Sequence, residues 1–232
     1  MSLNHTKSFH DKCDNWDFDP RNAATPRRVE EMMLPPGPSY RDFDMTKSVM
    51  EGWVQTYTRS QVWPLKLTVD QVDLNDIAHA LSMKVRFTGH CNRFYSIAEH
   101  SIRVCWEVQF NQNVLGEYNP NLLMCSALMH DAAEYILPDV AAPIKHMLPG
   151  FKELEHKVEQ VIASRFDLKW PWPKEVKDAD NALVLLERRD NMKPNVHPWD
   201  VPGLPAGQHL QYWEPAEAER AFLLMAQLLG IR

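Results

Sequence analysis

The chain has 232 residues, 44% hydrophobic and 24% charged, with a formal net charge of −6. This suits one large domain with a buried core, and no apolar run approaches the roughly 20 residues that span a bilayer. No Lys/Arg block exceeds a pair, which argues against a nucleic-acid polymer as partner, because phosphate neutralisation supplies most of that affinity. One small phosphate ester needs only one or two basic groups and stays open.

The first residues, MSLNHTKSFHDKCDNWDFDP, lack the apolar centre of a secretory signal, so the expected compartment is the cytoplasm. Cys13, Cys91, Cys105 and Cys125 show no CxxC spacing and are expected as reduced thiols. Residues 1–48, polar and broken by LPPGPSY, read as an irregular arm, and 49–232 as a single helical domain.

Within that domain, WVQTYTRSQVWPLKL alternates well enough to predict a short β-hairpin near 53–67. LNDIAHALSM then carries an apolar stripe of Leu74, Ile77, Ala78 and Leu81, with Asp73 as N-cap. YSIAEHSIRVCWEVQF is a second helix, facing inward with Ile97, Ser101, Val104, Cys105 and Val108. A third starts at Asn119-Pro120 and is expected to run through LLMCSALMHDAAEYIL until Pro138 stops it. FKELEHKVEQVIASRF and PKEVKDADNALVLLERRD follow, then a Pro/Gly-rich loop at 192–213, and PAEAERAFLLMAQLLG closes on Gly230 as C-cap. The expected fold class is mainly α, a helical bundle with that hairpin near its start.

The third helix poses a chemical problem. With Leu123 at zero on a wheel of about 100° per residue, His130 falls near 340°, Glu134 near 20° and Asp131 near 80°. Three ionisable groups thus share one face of a segment built for a core, where an unpartnered carboxylate is costly. His100 on the second helix and Asp180 on the fifth also sit on inward faces. Together His100, His130, Asp131 and Asp180 form a mixed N/O set suited to a divalent metal, with positions left for water and substrate oxygens. A lone helical histidine is usually packed or solvated, and His79, His90, His146 and His156 are read that way.

YSIAEHS, ALMHDAAEYILPDVAAPIK and DADNALVLLERRD resemble the signature segments of the HD-domain metal-dependent phosphohydrolases. The likeness spans roughly residues 50–190 and is greatest to small bacterial and phage HD hydrolases and the 5′-deoxynucleotidase branch. It implies an HD-type bundle and one divalent ion (Mn, Co, Ni, Fe, Zn or Mg) on His100, His130, Asp131 and Asp180. Glu134 and Asp139 match the catalytic carboxylates, Arg86 a phosphate-binding arginine, and Phe87 an aromatic beside the sugar, where the deoxynucleotidases carry tryptophan. Lys145 reads either as a second cationic contact or as a surface lysine.

The implied activity is removal of phosphate from a small-molecule nucleotide, a (deoxy)nucleoside 5′-monophosphate, by metal-activated water. A dNTP triphosphohydrolase, a two-iron oxygenase using His146 or His156, and a metal-containing nucleotide-sensing module without turnover are the alternatives. Enzymes of this type often form homodimers, although nothing in the sequence marks an interface.

Overall fold

A computed structural model describes residues 52–58, 61–110, 119–194, 197 and 199–232. The arm expected at 1–48 lies outside them. Seven α-helices are present among the described residues: α1 Leu74–Met83, α2 Ile97–Phe110, α3 Pro120–Met129, α4 Ala142–Lys145, α5 Phe151–Arg165, α6 Lys174–Asn191 and α7 Pro215–Leu228. Three of their ends follow the sequence signals. The Asp73 carboxylate accepts from the Asn75 N–H at 2.8 Å, and the Asn119 side chain accepts from the Asn121 N–H at 2.9 Å. Gly230, at φ 79°, takes the left-handed conformation that closes α7.

The expected hairpin is corrected to a single antiparallel bridge. Val54 and Val62 exchange two backbone hydrogen bonds, at 2.8 and 2.9 Å, and the described residues contain no strand. Pro64 supplies the reason: it has no N–H for a ladder and instead opens a 3-10 turn over Pro64–Lys66.

A second correction concerns α3, which ends at Met129 and not at Pro138. Asp131 sits at φ −97°, ψ 10°, and Ala132–Tyr135 continue as a 3-10 turn. The Lys84 ammonium holds the segment from outside, donating to the carbonyl oxygens of Glu134 and, at 2.8 Å, Leu137. Residues three apart are eclipsed in a 3-10 turn, so Asp131 and Glu134 are brought onto one side. An unbroken α-helix would have set them about 60° apart.

The bundle is organised around α2, which packs against α1, α3, α6 and α7. Ile97, Ile102, Leu123, Leu128, Met129, Leu183, Leu186 and Phe222 fill the space between them and are fully buried. α3 is apolar on nearly every side because it lies inside the bundle. α5 covers the 3-10 turns on the other flank.

α2 also buries Glu99 and Arg103, one turn apart. The Glu99 carboxylate accepts from Arg103 Nε at 2.8 Å and from the backbone N–H groups of Gln211 at 2.8 Å, Tyr212 at 3.3 Å and Trp213 at 2.8 Å. The Arg103 guanidinium lies 5.7 Å from the Trp106 ring centre and 5.5 Å from that of Trp213. A segment without secondary structure is thereby fixed to the core, and Tyr212 is held at φ 60°, a conformation that costs a non-glycine residue on the order of 1–3 kcal/mol.

Glu99→Ala leaves the Arg103 charge and three backbone donors buried without their acceptor. It is expected to cost about 3–5 kcal/mol in urea denaturation. A loss below about 1 kcal/mol, the size of an exposed ion pair, would contradict this account.

Candidate metal centre

Four elements converge on one buried cluster. His100 comes from the first turn of α2, His130 from the C-terminal end of α3, Asp180 from the middle of α6, and Arg86 from the turn Arg86–Gly89 before α2. An isolated antiparallel bridge holds that turn against the start of α2: Val85 bridges Ser96, Arg86 N donates to Tyr95 O at 3.0 Å, and Ile97 N donates to Lys84 O at 3.1 Å. Asn191, at the end of α6, clamps the intervening loop. Its side chain accepts from Arg93 N at 2.9 Å and donates to Arg93 O at 3.1 Å.

Each imidazole is oriented by its far nitrogen. His130 Nδ1 lies 2.8 Å from the Ala127 carbonyl oxygen, and His100 Nδ1 lies 2.6 Å from Glu187 Oε1. Nδ1 is the donor in both bonds, since a carbonyl and a carboxylate can only accept. The Nε2 atoms are then left facing the cluster, both buried and without a hydrogen-bond partner. One donor atom each from His100, His130 and Asp180 falls within 4.8 Å of the others. Asp180 divides its oxygens, with Oδ1 3.3 Å from His100 Nε2 and Oδ2 2.6 Å from Lys177 Nζ.

Asp131 stands at the edge of this triple. Its Oδ2 lies 3.3 Å from His130 Nε2, 3.6 Å from His100 Nε2 and 3.3 Å from Arg86 Nη1. Two orphaned ring nitrogens beside two carboxylates are an arrangement that fits a divalent ion, and two imidazoles with carboxylate oxygens suit a first-row transition metal. The other histidines considered as ligands are elsewhere: His146 is exposed, and the His156 ring packs edge-on against Trp170 at 5.5 Å. Neither joins the group that could hold a metal among the described residues.

The electrostatics show a cluster with surplus negative charge. Burial and Arg86 push the His100 imidazole down, but Glu187 and Asp180 outweigh them and raise its pKa to about 9. Burial would raise Asp131, yet His130, His100 and Arg86 hold it well below the usual carboxylate range. Asp180 is depressed against the same burial by the adjacent His100 imidazole, 3.3 Å away, and by the His130 charge. Burial opposes the Arg86 charge too, and Glu187 and Asp131 more than restore it.

The remaining expected residues fall around the cluster. Glu134 is buried with Oε2 unpartnered, and its Oε1 lies 4.0 Å from Lys145 Nζ, which is held at 2.6 Å by Glu155. Burial, then the charges of Asp131 and Asp139, hold the Glu134 carboxyl well above its ordinary pKa. Asp139 is raised by burial and Asp131 against the pull of Arg86 and Lys145. The Phe87 ring centre lies 5.3 Å from the Arg86 guanidinium and 5.8 Å from the Trp199 ring, and Arg188 covers Trp199 at 5.4 Å. Phe87 and Thr88 are both left-handed, at φ 56° and 53°, so the turn that delivers Arg86 stores backbone strain.

Sequence reasoning did not single out Glu187, Lys84 or Trp199. Glu187 carried a signal: it lies seven residues after Asp180, on the same face of α6 and in line with Leu183. Trp199 carried none.

Residues 82–197, half of the chain, match the family described as 5′-deoxynucleotidase YfbR-like. The chain is 33% identical over 155 residues to the uncharacterized protein YfdR of Escherichia coli (strain K12), covering 66% of this chain and 81% of that protein. It is 29% identical over 143 residues to the uncharacterized protein RCAP_rcc00048 of Rhodobacter capsulatus, covering 59% and 69% respectively.

Purified protein stripped of metal is expected to bind Mn²⁺ at one site per chain in calorimetric titration. Free Mn²⁺ at 100 times its Kd should add about 2.7 kcal/mol to the unfolding free energy. Asp180→Ala should abolish both effects, and a variant that binds like the wild type would exclude this cluster as the site.

Proposed function

The chain belongs to the YfbR-like family of HD-domain hydrolases, and from that membership we propose that it removes phosphate from a (deoxy)nucleoside 5′-monophosphate. His100, His130, Asp131 and Asp180 are the proposed ligands of a single divalent ion. The supporting observation is the pair of buried Nε2 atoms that face Asp180 and Asp131 with no partner of their own, beside a buried guanidinium. When bound, a divalent ion would neutralise charge on the phosphoryl oxygens and acidify a water molecule.

The chain's own side chains take the other tasks. Arg86 Nη1 already contacts Asp131, so the guanidinium stands at the edge of the proposed ion site, where a phosphate would approach. Glu134 keeps its proton in a range where ordinary carboxyls have lost theirs, which suits a donor to the leaving alkoxide. Asp139, whose carboxyl is likewise raised by burial and by Asp131, is the second candidate for proton transfer. Phe87 is the proposed wall for the sugar, and Lys145, whose charge is shared with Glu155 and Glu134, a second cationic contact.

A monophosphate is favoured over a triphosphate because both lysines beside the cluster already have partners. Lys84 gives its donors to two carbonyl oxygens, and Lys145 is paired with Glu155. A tripolyphosphate leaving group would call for more positive charge than remains.

With Mn²⁺, the protein is expected to release orthophosphate from dAMP or dGMP, whereas tripolyphosphate released from dATP would establish the triphosphohydrolase. Asp131→Ala should eliminate turnover. Glu134→Gln should keep its metal and lose about 10²–10⁴-fold in kcat, the usual worth of a general acid or base. Full activity in either variant would show that the roles are misassigned.

A further inference from the structure

Glu187 is completely buried, and its two oxygens have different partners. Oε1 lies 2.6 Å from His100 Nδ1, and Oε2 accepts from Arg86 Nε at 3.1 Å. Resting on the hydrolase reading of the same cluster, we infer that Glu187 is a positioning residue. Its one carboxylate fixes the metal ligand His100 and the phosphate-side Arg86 relative to each other.

α6 makes the arrangement rigid. Asp180 and Glu187 are seven residues apart, about 700° of helical turn, so both project from one face and are separated by about 10 Å along the axis. One helix therefore carries a proposed ligand and, two turns later, the group behind a second ligand. The carboxylate is planar, so the His100 ring cannot rotate without displacing Oε1, and with it the oxygen that holds Arg86. No water reaches Glu187 to replace either bond.

The acidic residue is chemically required. Nδ1 of His100 and Nε of Arg86 are both donors, and a carboxylate can accept from both at once. A glutamine amide has one oxygen and one NH₂, so it can satisfy one of them and must turn a donor toward the other. A residue that merely balanced the Arg86 charge would not need its second oxygen on the far side of an imidazole ligand. Carboxylates so placed fix the tautomer and raise the basicity of the ligating nitrogen.

The test uses the full chain and Glu187→Gln, with Leu186→Ala as a comparison. Leu186 is equally buried on the neighbouring position of α6 and has no polar atom in its side chain. Glu187→Gln should weaken Mn²⁺ binding about 10- to 100-fold, as loss of such an outer partner typically does. At saturating Mn²⁺ its KM for dAMP should rise by a larger factor than kcat falls, because Arg86 has lost its brace. Leu186→Ala should lower Tm while leaving Mn²⁺ affinity and KM near wild type.

A direct measurement covers the case in which Glu187→Gln does not fold. In wild-type protein labelled with ¹⁵N-histidine and loaded with Zn²⁺, His100 Nδ1 should carry a proton with a strongly downfield NMR resonance. Finding Nδ1 of His100 unprotonated would overturn the inference, as would wild-type Mn²⁺ affinity and KM in folded Glu187→Gln. A wild-type protein that binds no metal and hydrolyses no nucleotide would instead overturn the hydrolase reading, and this inference with it.

Discussion

Burial of like charge governs the interior of this bundle. The buried Asp180 and Glu187 and the partly exposed Asp131 lie around one imidazole of the helical bundle, with the buried Glu134 close by. A buried ion that loses its partner costs several kcal/mol, a large fraction of the stability of an ordinary domain. The chain meets the cost with Arg86, which contacts two of these carboxylates, and with two histidines whose far nitrogens are fixed. What remains is surplus negative charge and a pair of ring nitrogens with nothing to bind, and a divalent cation would satisfy both.

Delivering Arg86 accounts for much of the irregular structure. The guanidinium must enter the interior from a turn that precedes α2. The Val85–Ser96 bridge, the Asn191 clamp and two consecutive left-handed residues fix that turn at the required depth. Strain at Phe87 and Thr88 is tolerable because the surroundings leave no alternative. Local backbone cost is exchanged there for compensation of a far larger electrostatic one.

Most of the helices were legible because their ends carry local chemistry: a carboxylate cap at Asp73, Asn119 followed by proline, and a glycine after α7. The grouping of His100, His130, Asp131 and Asp180 was legible too, since charged residues on apolar stripes need a common explanation. The end of α3 was not. An apolar pattern fits a 3-10 turn and an α-helix equally well over four residues, and the choice is made by Lys84, which contacts carbonyls some 50 residues away in sequence. The hairpin failed for a smaller reason, a proline where alternation predicted a strand. Glu187 was hidden by its neighbours. In the run Glu187-Arg188-Arg189-Asp190 it reads as part of a solvated charge cluster, and its partner Arg86 is 101 residues away.

α2 shows why two buried charge systems can coexist in so small a core. Glu99 and His100 are consecutive and therefore diverge by about 100°. One points to the backbone of 211–213 and the other to the candidate metal cluster. The segment held by Glu99 lies beyond the part of the chain that matches the family, which ends at residue 197. It is nonetheless bonded to the very turn of helix that presents His100. Residues 211–213 are therefore tied to the helix turn that carries the proposed ligand, although they lie outside the region that matches the family.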